Sequence, residues 1–446
     1  MTYKLFCMAS LLALPLAAQT PDSEPADLSS YQGPGIASPG VGNIGTASGQ
    51  PTDLRFYAGV SGIYDTNIQP FVTDAKGNLV RAPNLWGISF GGGAYGSHAW
   101  HRSQLSLSYA GNYVYYPDSQ NYNGTNQSLT LGYTDQLSSR WVFDARVSGN
   151  TLNQTTGAVA NAATSGGATS TTAPFDTRSS GVLGSSSITF LQTTRTSYTF
   201  GGAVSTYIYD SAYLTDYQSA SANAGFTHRL SQSNSFGARY MFSYQTGSGG
   251  AFTMKTHTMG GQFSSAFARG WTLSLDLGAT ISQLNESIGL DLPVLFNNGT
   301  YGLAPFLVPV QLNGVYPSGS IDLRRQFRRA LLFGNAAESV GGGNGLLTGT
   351  RNLMARGGIS YTGFRKWNFG LDGSYQKYSS LGGGISRVIS YGGGAGFTYE
   401  LVRYTHLTGR FDLTNYDYST TLGQRTAKRV TIGISFTPKD IPLSLW

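Results

Sequence analysis

Eight charged side chains interrupt segments that are otherwise apolar on one side and small or polar on the other: Asp144, Arg146, Arg239, Asp276, Arg356, Asp372, Arg410 and Asp412. Each falls on the polar side of its segment. Rings of charge lining a watery passage sort ions by sign, so these eight are the candidates for an electrostatic filter. Opposite charges close together have a second use, since Arg410 with a neighbouring Asp would pair and stiffen a wall. Both signs occur, so neither anion nor cation preference follows.

Other reactive constellations are weak. Of the five histidines, His98, His101, His228 and His406 lie near short turns or segment ends, and His257 lies near an opposite end. A nucleophilic Ser/His/acid arrangement needs all three groups within hydrogen-bond reach. In a chain so rich in serine, a Ser near His257 carries little weight. The glycine runs 91–93, 341–343, 382–384 and 392–394 lack the following Gly-Lys-Ser/Thr that cradles a phosphate. Asp65, Asn67 and Asp74 offer oxygen ligands without the spacing of a calcium loop. No cofactor is implied, and an enzyme is the least favoured class.

The elements that carry the charges explain their placement. In residues 104–115, Leu105, Leu107, Tyr109, Tyr113 and Tyr115 share one face, and Gln104, Ser106, Ser108 and Asn112 the other. Residues 141–150, 271–281, 367–375 and 430–436 alternate in the same way. Successive side chains of a strand point to opposite sides, so each segment has one face for hydrocarbon and one for water. The segments run to roughly ten to fourteen residues, whereas strands in soluble sandwiches average about five or six. A tilted strand crossing a bilayer needs about nine to eleven. In hydrocarbon every backbone polar group must be paired, so such a sheet must close.

Composition agrees. Charged residues make up 11% of the 446, against roughly 25% in soluble proteins, while Gly reaches 60, Tyr 28 and Phe 23. After the first residues there is no apolar run of the roughly 18 needed for a membrane helix. Residues 1–18 read as a signal peptide: Lys4, an apolar stretch, then Leu16-Ala17-Ala18 as a small-residue cleavage site. The one cysteine, Cys7, lies within it, so the mature chain has no disulfide framework. Residues 19–52, rich in Gly, Pro, Ser and Ala, read as a flexible periplasmic leader. The net charge of +7 invites a nucleic-acid reading, but the excess sits in short turns, such as Arg324, Arg325, Arg328 and Arg329. No basic helix or zinc spacing accompanies it.

Connections alternate in length. Short turns are expected near residues 98–102, 138–140, 193–195, 231–234, 269–270, 328–330, 363–366 and 402–404. Longer ones are expected at 67–84, 151–178, 283–315, 341–350 and 379–386, with smaller members at 117–124, 210–216, 246–251 and 420–426. The fold class is therefore all-β, a transmembrane antiparallel up-and-down barrel over residues 53–446. It has about eighteen strands, or sixteen if two weak hairpins are discounted. Segments 181–190 and 321–339 are the least periodic. Short turns face the periplasm and long loops the outside. Trp86, Tyr115, Tyr116, Trp141, Trp271, Trp367 and Tyr418 stand at strand ends, as an aromatic girdle requires.

The stretch 55–68 resembles the opening strand of porin-type outer-membrane barrels, a group that includes barrels associated with exopolysaccharide export. In that group an early Tyr-Asp-small-Asn motif follows the first strand, here Tyr64-Asp65-Thr66-Asn67. Residues 429–446 resemble the terminal strand read by the barrel-assembly machinery, with Thr431, Gly433 and Phe436 in place. The pattern departs at Pro438, where a final aromatic belongs, leaving Phe436 or Trp446 for that role. The resemblance implies an outer-membrane protein in contact with lipid, lipopolysaccharide and the assembly machinery. A barrel of this size encloses water, so passive passage of small polar solutes is the leading expectation. Polysaccharide export or envelope assembly is the alternative. Surface binding through loops 151–178 and 283–315 is a third reading, and either of those loops is also a candidate inward constriction.

Overall fold

The computed structural model describes residues 53–66, 72–73, 79–80, 84–119, 122–152, 178–210, 214–267, 270–295, 301–341, 349–381, 387–418, 423–437 and 441–442. The expected signal peptide, the leader and most of loop 151–178 lie outside these residues.

The first strand is β1 (Asp53–Thr66), and β2 (Val72–Thr73) and β3 (Leu79–Val80) form a small hairpin in the connection after it. The wall continues through β4 (Leu85–Ala99), β5 (Ser103–Tyr115), β6 (Gly124–Asp135), β7 (Trp141–Leu152) and β8 (Ser179–Leu191). Next come β9 (Thr196–Tyr209), β10 (Tyr217–Arg229), β11 (Asn234–Gly247), β12 (Phe252–Phe267) and β13 (Trp271–Leu295). Then follow β14 (Tyr301–Gln326), β15 (Ala330–Gly341), β16 (Thr350–Phe364), β17 (Trp367–Ser380) and β18 (Arg387–Val402). The last are β19 (Thr405–Tyr418), β20 (Gly423–Phe436) and the two-residue β21 (Ile441–Pro442) beside the base of β1. Every wall strand pairs antiparallel with the next, and β1 pairs with β20 from Ala58↔Phe436 to Thr66↔Lys428. The result is a closed barrel of eighteen strands, β1 and β4 to β20. Closure satisfies the edge groups that a spanning sheet cannot leave open.

Alternation partitions the side chains as the sequence implies. On β13, Leu277 is 68% exposed on the outside, while Thr280 is 1% exposed on the inside. The outer surface carries Val60, Phe90, Phe200, Met259, Leu371 and Ile432, all exposed. Such a surface is stable only against lipid. Cross-strand aromatic pairs mark its two borders. Tyr64 and Trp86 pack at 4.4 Å at the outer end. Trp141–Phe190 at 4.7 Å and Trp367–Tyr399 at 4.5 Å stand at the inner end.

Seven turns at the inner end are described throughout, and they are short. Trp100 N–H donates to Ser103 at 2.7 Å, Leu230 to Asn234 at 2.9 Å and Phe327 to Ala330 at 2.7 Å. At the turn before β13, Gly270 takes φ +79°, and a side chain there would meet the Gln326 carbonyl. Glycine adopts this left-handed conformation without the penalty other residues incur.

One expectation is corrected. Residues 283–315 are not a loop. Residues 283–295 and 301–315 prolong β13 and β14, which stay paired from Trp271↔Arg325 to Leu295↔Tyr301; residues 296–300 lie outside the described residues. The ladder to β12 stops at Phe252↔Glu286, so residues 287–295 rise roughly 30 Å past it at about 3.3 Å per residue. Alternating Leu290, Leu292 and Val294 form a strand pattern that the prolines and glycines nearby obscured.

Candidate functional site

All eight charged candidates lie on the inner face, and the wall arranges most of them into neutral groups. Arg410 on β19 holds Asp412 through Nη2 at 2.6 Å and Nε at 3.0 Å, and reaches Asp372 on β17 through Nη1 at 3.0 Å. It crosses β18 to do so, over the bare inner positions Gly392, Gly394 and Gly396. A Cβ on Gly394 would run into the Arg410 guanidinium and the Asp412 carboxylate. Arg356, on β16, lies over the Phe333 ring at 5.6 Å at the margin of this group. A second group bridges β11 and β13: Arg239 contacts Asp276 at 2.7 and 2.8 Å, and the Gln262 amide donates to the same carboxylate at 3.1 Å. Charge-assisted contacts of this kind are strong and directional.

Asp144 and Arg146 differ. Both stand near the inner end of β7. Asp144 accepts from the Thr134 hydroxyl at 2.7 Å, and Arg146 is exposed to the lumen. Of the eight, Arg146 alone is exposed, and Asp144 is half-buried.

A third group was missed as a site. Asp65, 2% exposed on β1, accepts from Arg429 Nε at 2.6 Å and Nη2 at 2.9 Å, and from the Tyr116 hydroxyl. It therefore closes the barrel rather than serving a loop metal site; Asn67 and Asp74 lie outside the described residues. The available signal was an inward-facing Arg on the last strand opposite an inward-facing Asp on the first. Nearby on β20, Arg425 lies over the Tyr416 ring at 4.7 Å.

Toward the outer end the lining turns apolar. Tyr209, Leu214, Tyr217, Phe252, Met254 and Leu284 form one cluster, packed against Leu312, Val340 and Leu381. Tyr378, Val388, Tyr416 and Ala427 form a second, and Ile63, Leu85, Val114 and Tyr116 a third. The first cluster spans much of the mouth because the outer end of β15 bends inward. β15 leaves β14 after Glu338↔Gly319, and it contacts β12 and β13. Gly341 comes to the side of Gln245 on β11, and Gly349 packs under Leu284. Among the described residues, β15 is the element that turns inward at this mouth, and it packs there with Leu284 and Leu312 of the 283–315 stretch; residues 153–177 lie outside the described residues.

His257 points outward. It packs on Phe242 at 5.0 Å, and its Nδ1 shares a hydrogen bond with the Tyr240 hydroxyl at 2.8 Å. This is an aromatic contact in the outer girdle.

No family model and no curated protein matches the chain. Among solved structures, OpdL of Pseudomonas aeruginosa aligns at 11% identity over 88% of this chain and 99% of its own, with a TM-score of 0.39. OccK2 (OpdF) of Pseudomonas aeruginosa, solved in complex with glucuronate, aligns at 9% over 87% and 98%, TM-score 0.42. A BenF-like porin from Pseudomonas fluorescens Pf-5 aligns at 10% over 87% and 99%, TM-score 0.42.

Proposed function

We propose that this protein is an outer-membrane diffusion channel for small polar solutes. The observation that carries the reading is the partition of a closed eighteen-strand wall: large apolar side chains outside, and Ser, Thr, Gly and charge-balanced groups inside. A barrel of this circumference encloses more space than its side chains fill. The internal pairs Arg239–Asp276 and Arg429–Asp65 cancel locally, and Arg410 with Arg356 at its margin balances Asp372 and Asp412. The lining therefore favours uncharged or zwitterionic solutes over strongly charged ones, with Asp144 and Arg146 as the residues that tune selectivity. The test is planar-bilayer recording of the refolded protein with a series of sugars as blockers. Steady, weakly ion-selective conductance that a polar solute reduces supports the channel; absence of conductance from folded protein refutes it.

The export reading rests on the resemblance of residues 55–68, with the motif Tyr64-Asp65-Thr66-Asn67, and on the basic short turns, which could dock an acidic partner. Asp65 is accounted for by barrel closure with Arg429, so that stretch does not favour export over diffusion. Unchanged surface polysaccharide after deletion of the gene would exclude the export reading.

A further inference from the structure

Every turn at the inner end of the barrel carries a basic residue. Arg102, Arg140, Arg195 and Arg229 serve the turns after β4, β6, β8 and β10. Arg328, Arg329, Arg365, Lys366 and Arg403 serve those after β14, β16 and β18. All nine are exposed. By sequence, Arg269 supplies the turn after β12. Between the strands these turns contain no Asp or Glu; the one carboxylate that ends a strand on the lipid-facing side of this rim is Asp135, at the end of β6. These ten charges exceed the +7 of the whole chain, which leaves the remaining residues at −3. The basicity of this protein is therefore a property of one rim.

We propose that this rim binds anionic glycerophospholipid headgroups of the inner leaflet through their phosphates. Two observations favour a lipid over a soluble acidic partner. Seven of the eight turns pair their basic residue with a large exposed apolar neighbour: Trp100, Leu137, Leu230, Phe267, Phe327 and Phe364, and Val402 at the seventh. Such side chains anchor in the acyl boundary and leave the guanidinium at phosphate depth. A soluble partner would offer them nothing around the full circumference. The second observation is Arg325, directly above this rim on the outer face. Its guanidinium lies 4.8 Å from the Trp271 ring centroid and 4.1 Å from that of Phe327. A cation held over rings at the lipid border is aimed at the headgroup layer. Arg also presents a planar fork that matches a phosphate bidentately. With ten basic residues against Asp135 at the lipid-facing rim, the rim prefers lipids with net negative charge.

The test uses the full-length mature protein, refolded into phosphatidylcholine vesicles, with tryptophan quenching by brominated lipid. Trp100, Trp141, Trp271 and Trp367 stand at this rim, and a background carrying Trp86→Phe and Trp446→Phe removes the other two of the six tryptophans. Brominated phosphatidylglycerol is compared with brominated phosphatidylcholine at equal mole fraction. The expected result is a preference of roughly fivefold for the anionic lipid at low salt, as one engaged headgroup implies. It should shrink toward unity at about 0.5 M salt. The triple variant R328Q/R329Q/R365Q should lower the preference, and R328K/R329K/R365K should retain more of it. Equal quenching by the two lipids at low salt, or a preference indifferent to salt, overturns the proposal. If the Gln variant fails to refold, the salt series on the parent protein decides alone. Conductance is not a readout here, so failure of the channel reading leaves this test intact.

Discussion

Asp65 and Arg429 are 364 residues apart in the chain and form a two-pronged ion pair, at 2.6 and 2.9 Å, across the junction of the first and last wall strands. They are also register partners in that ladder. Sliding β20 by one residue would point Arg429 at lipid and leave Asp65 unneutralised. Removing one member of a buried pair costs about 3–5 kcal/mol, whereas removing both costs less. The expected order of stability in urea unfolding from vesicles is parent, then D65N/R429Q, then R429Q. Electrophoretic mobility without boiling should show the same ranking of folded fraction. Single variants as stable as the parent would show that the pair does not fix closure.

Gly394 keeps the inner face of β18 bare beneath Arg410. Gly394→Val should displace the guanidinium from Asp372 and Asp412, at about 1–3 kcal/mol for the overpacking. Noise on the open-channel current should rise, because a freed guanidinium and two carboxylates then move in the lumen. Gly393→Val, one residue away and facing lipid, is the control and should leave the current unchanged.

Selectivity should respond to Asp144 and Arg146 more than to the braced charges. Reversal potentials under a salt gradient should move toward cation preference in R146Q and toward anion preference in D144N. D276N, whose carboxylate is already occupied by Arg239 and Gln262, should shift selectivity less per charge removed and destabilise more.

Leu284 is fully buried where Gly349 and the β12 residues Phe252 and Met254 meet it. Leu284→Ala should cost about 2–5 kcal/mol if the site cannot collapse. The loss is local to the inward end of β15. The expected signature is faster flicker and larger mean conductance with little change in global unfolding.

The barrel was legible in the sequence because a period of two over long segments has few other solutions, and because short and long connections alternated. Strand number and the inward placement of all eight charges followed from parity alone. What parity could not supply was reach. Arg410 contacts Asp372 two strands away only because Gly394 intervenes, and no linear pattern marks that. Asp65 stands in the Tyr64-Asp65-Thr66-Asn67 motif, yet its partner lies at the other end of the chain. The long β13–β14 hairpin hid behind Pro293, Pro305, Pro309 and Pro317, residues that suggest a loop. Proline is nonetheless compatible with a strand whose edge needs no donor, and β14 has such an edge above Gly319.

That edge has a mechanical consequence. β14 is joined to β13 by an unbroken ladder from Trp271 to Leu295, but to β15 only between Gly319↔Glu338 and Gln326↔Leu331. A sheet under load parts where the fewest rungs must break together. Pulled by its prolonged β13–β14 strands, this wall would tear between β14 and β15, and the Asp65–Arg429 junction, six strands away around the ring, would be spared.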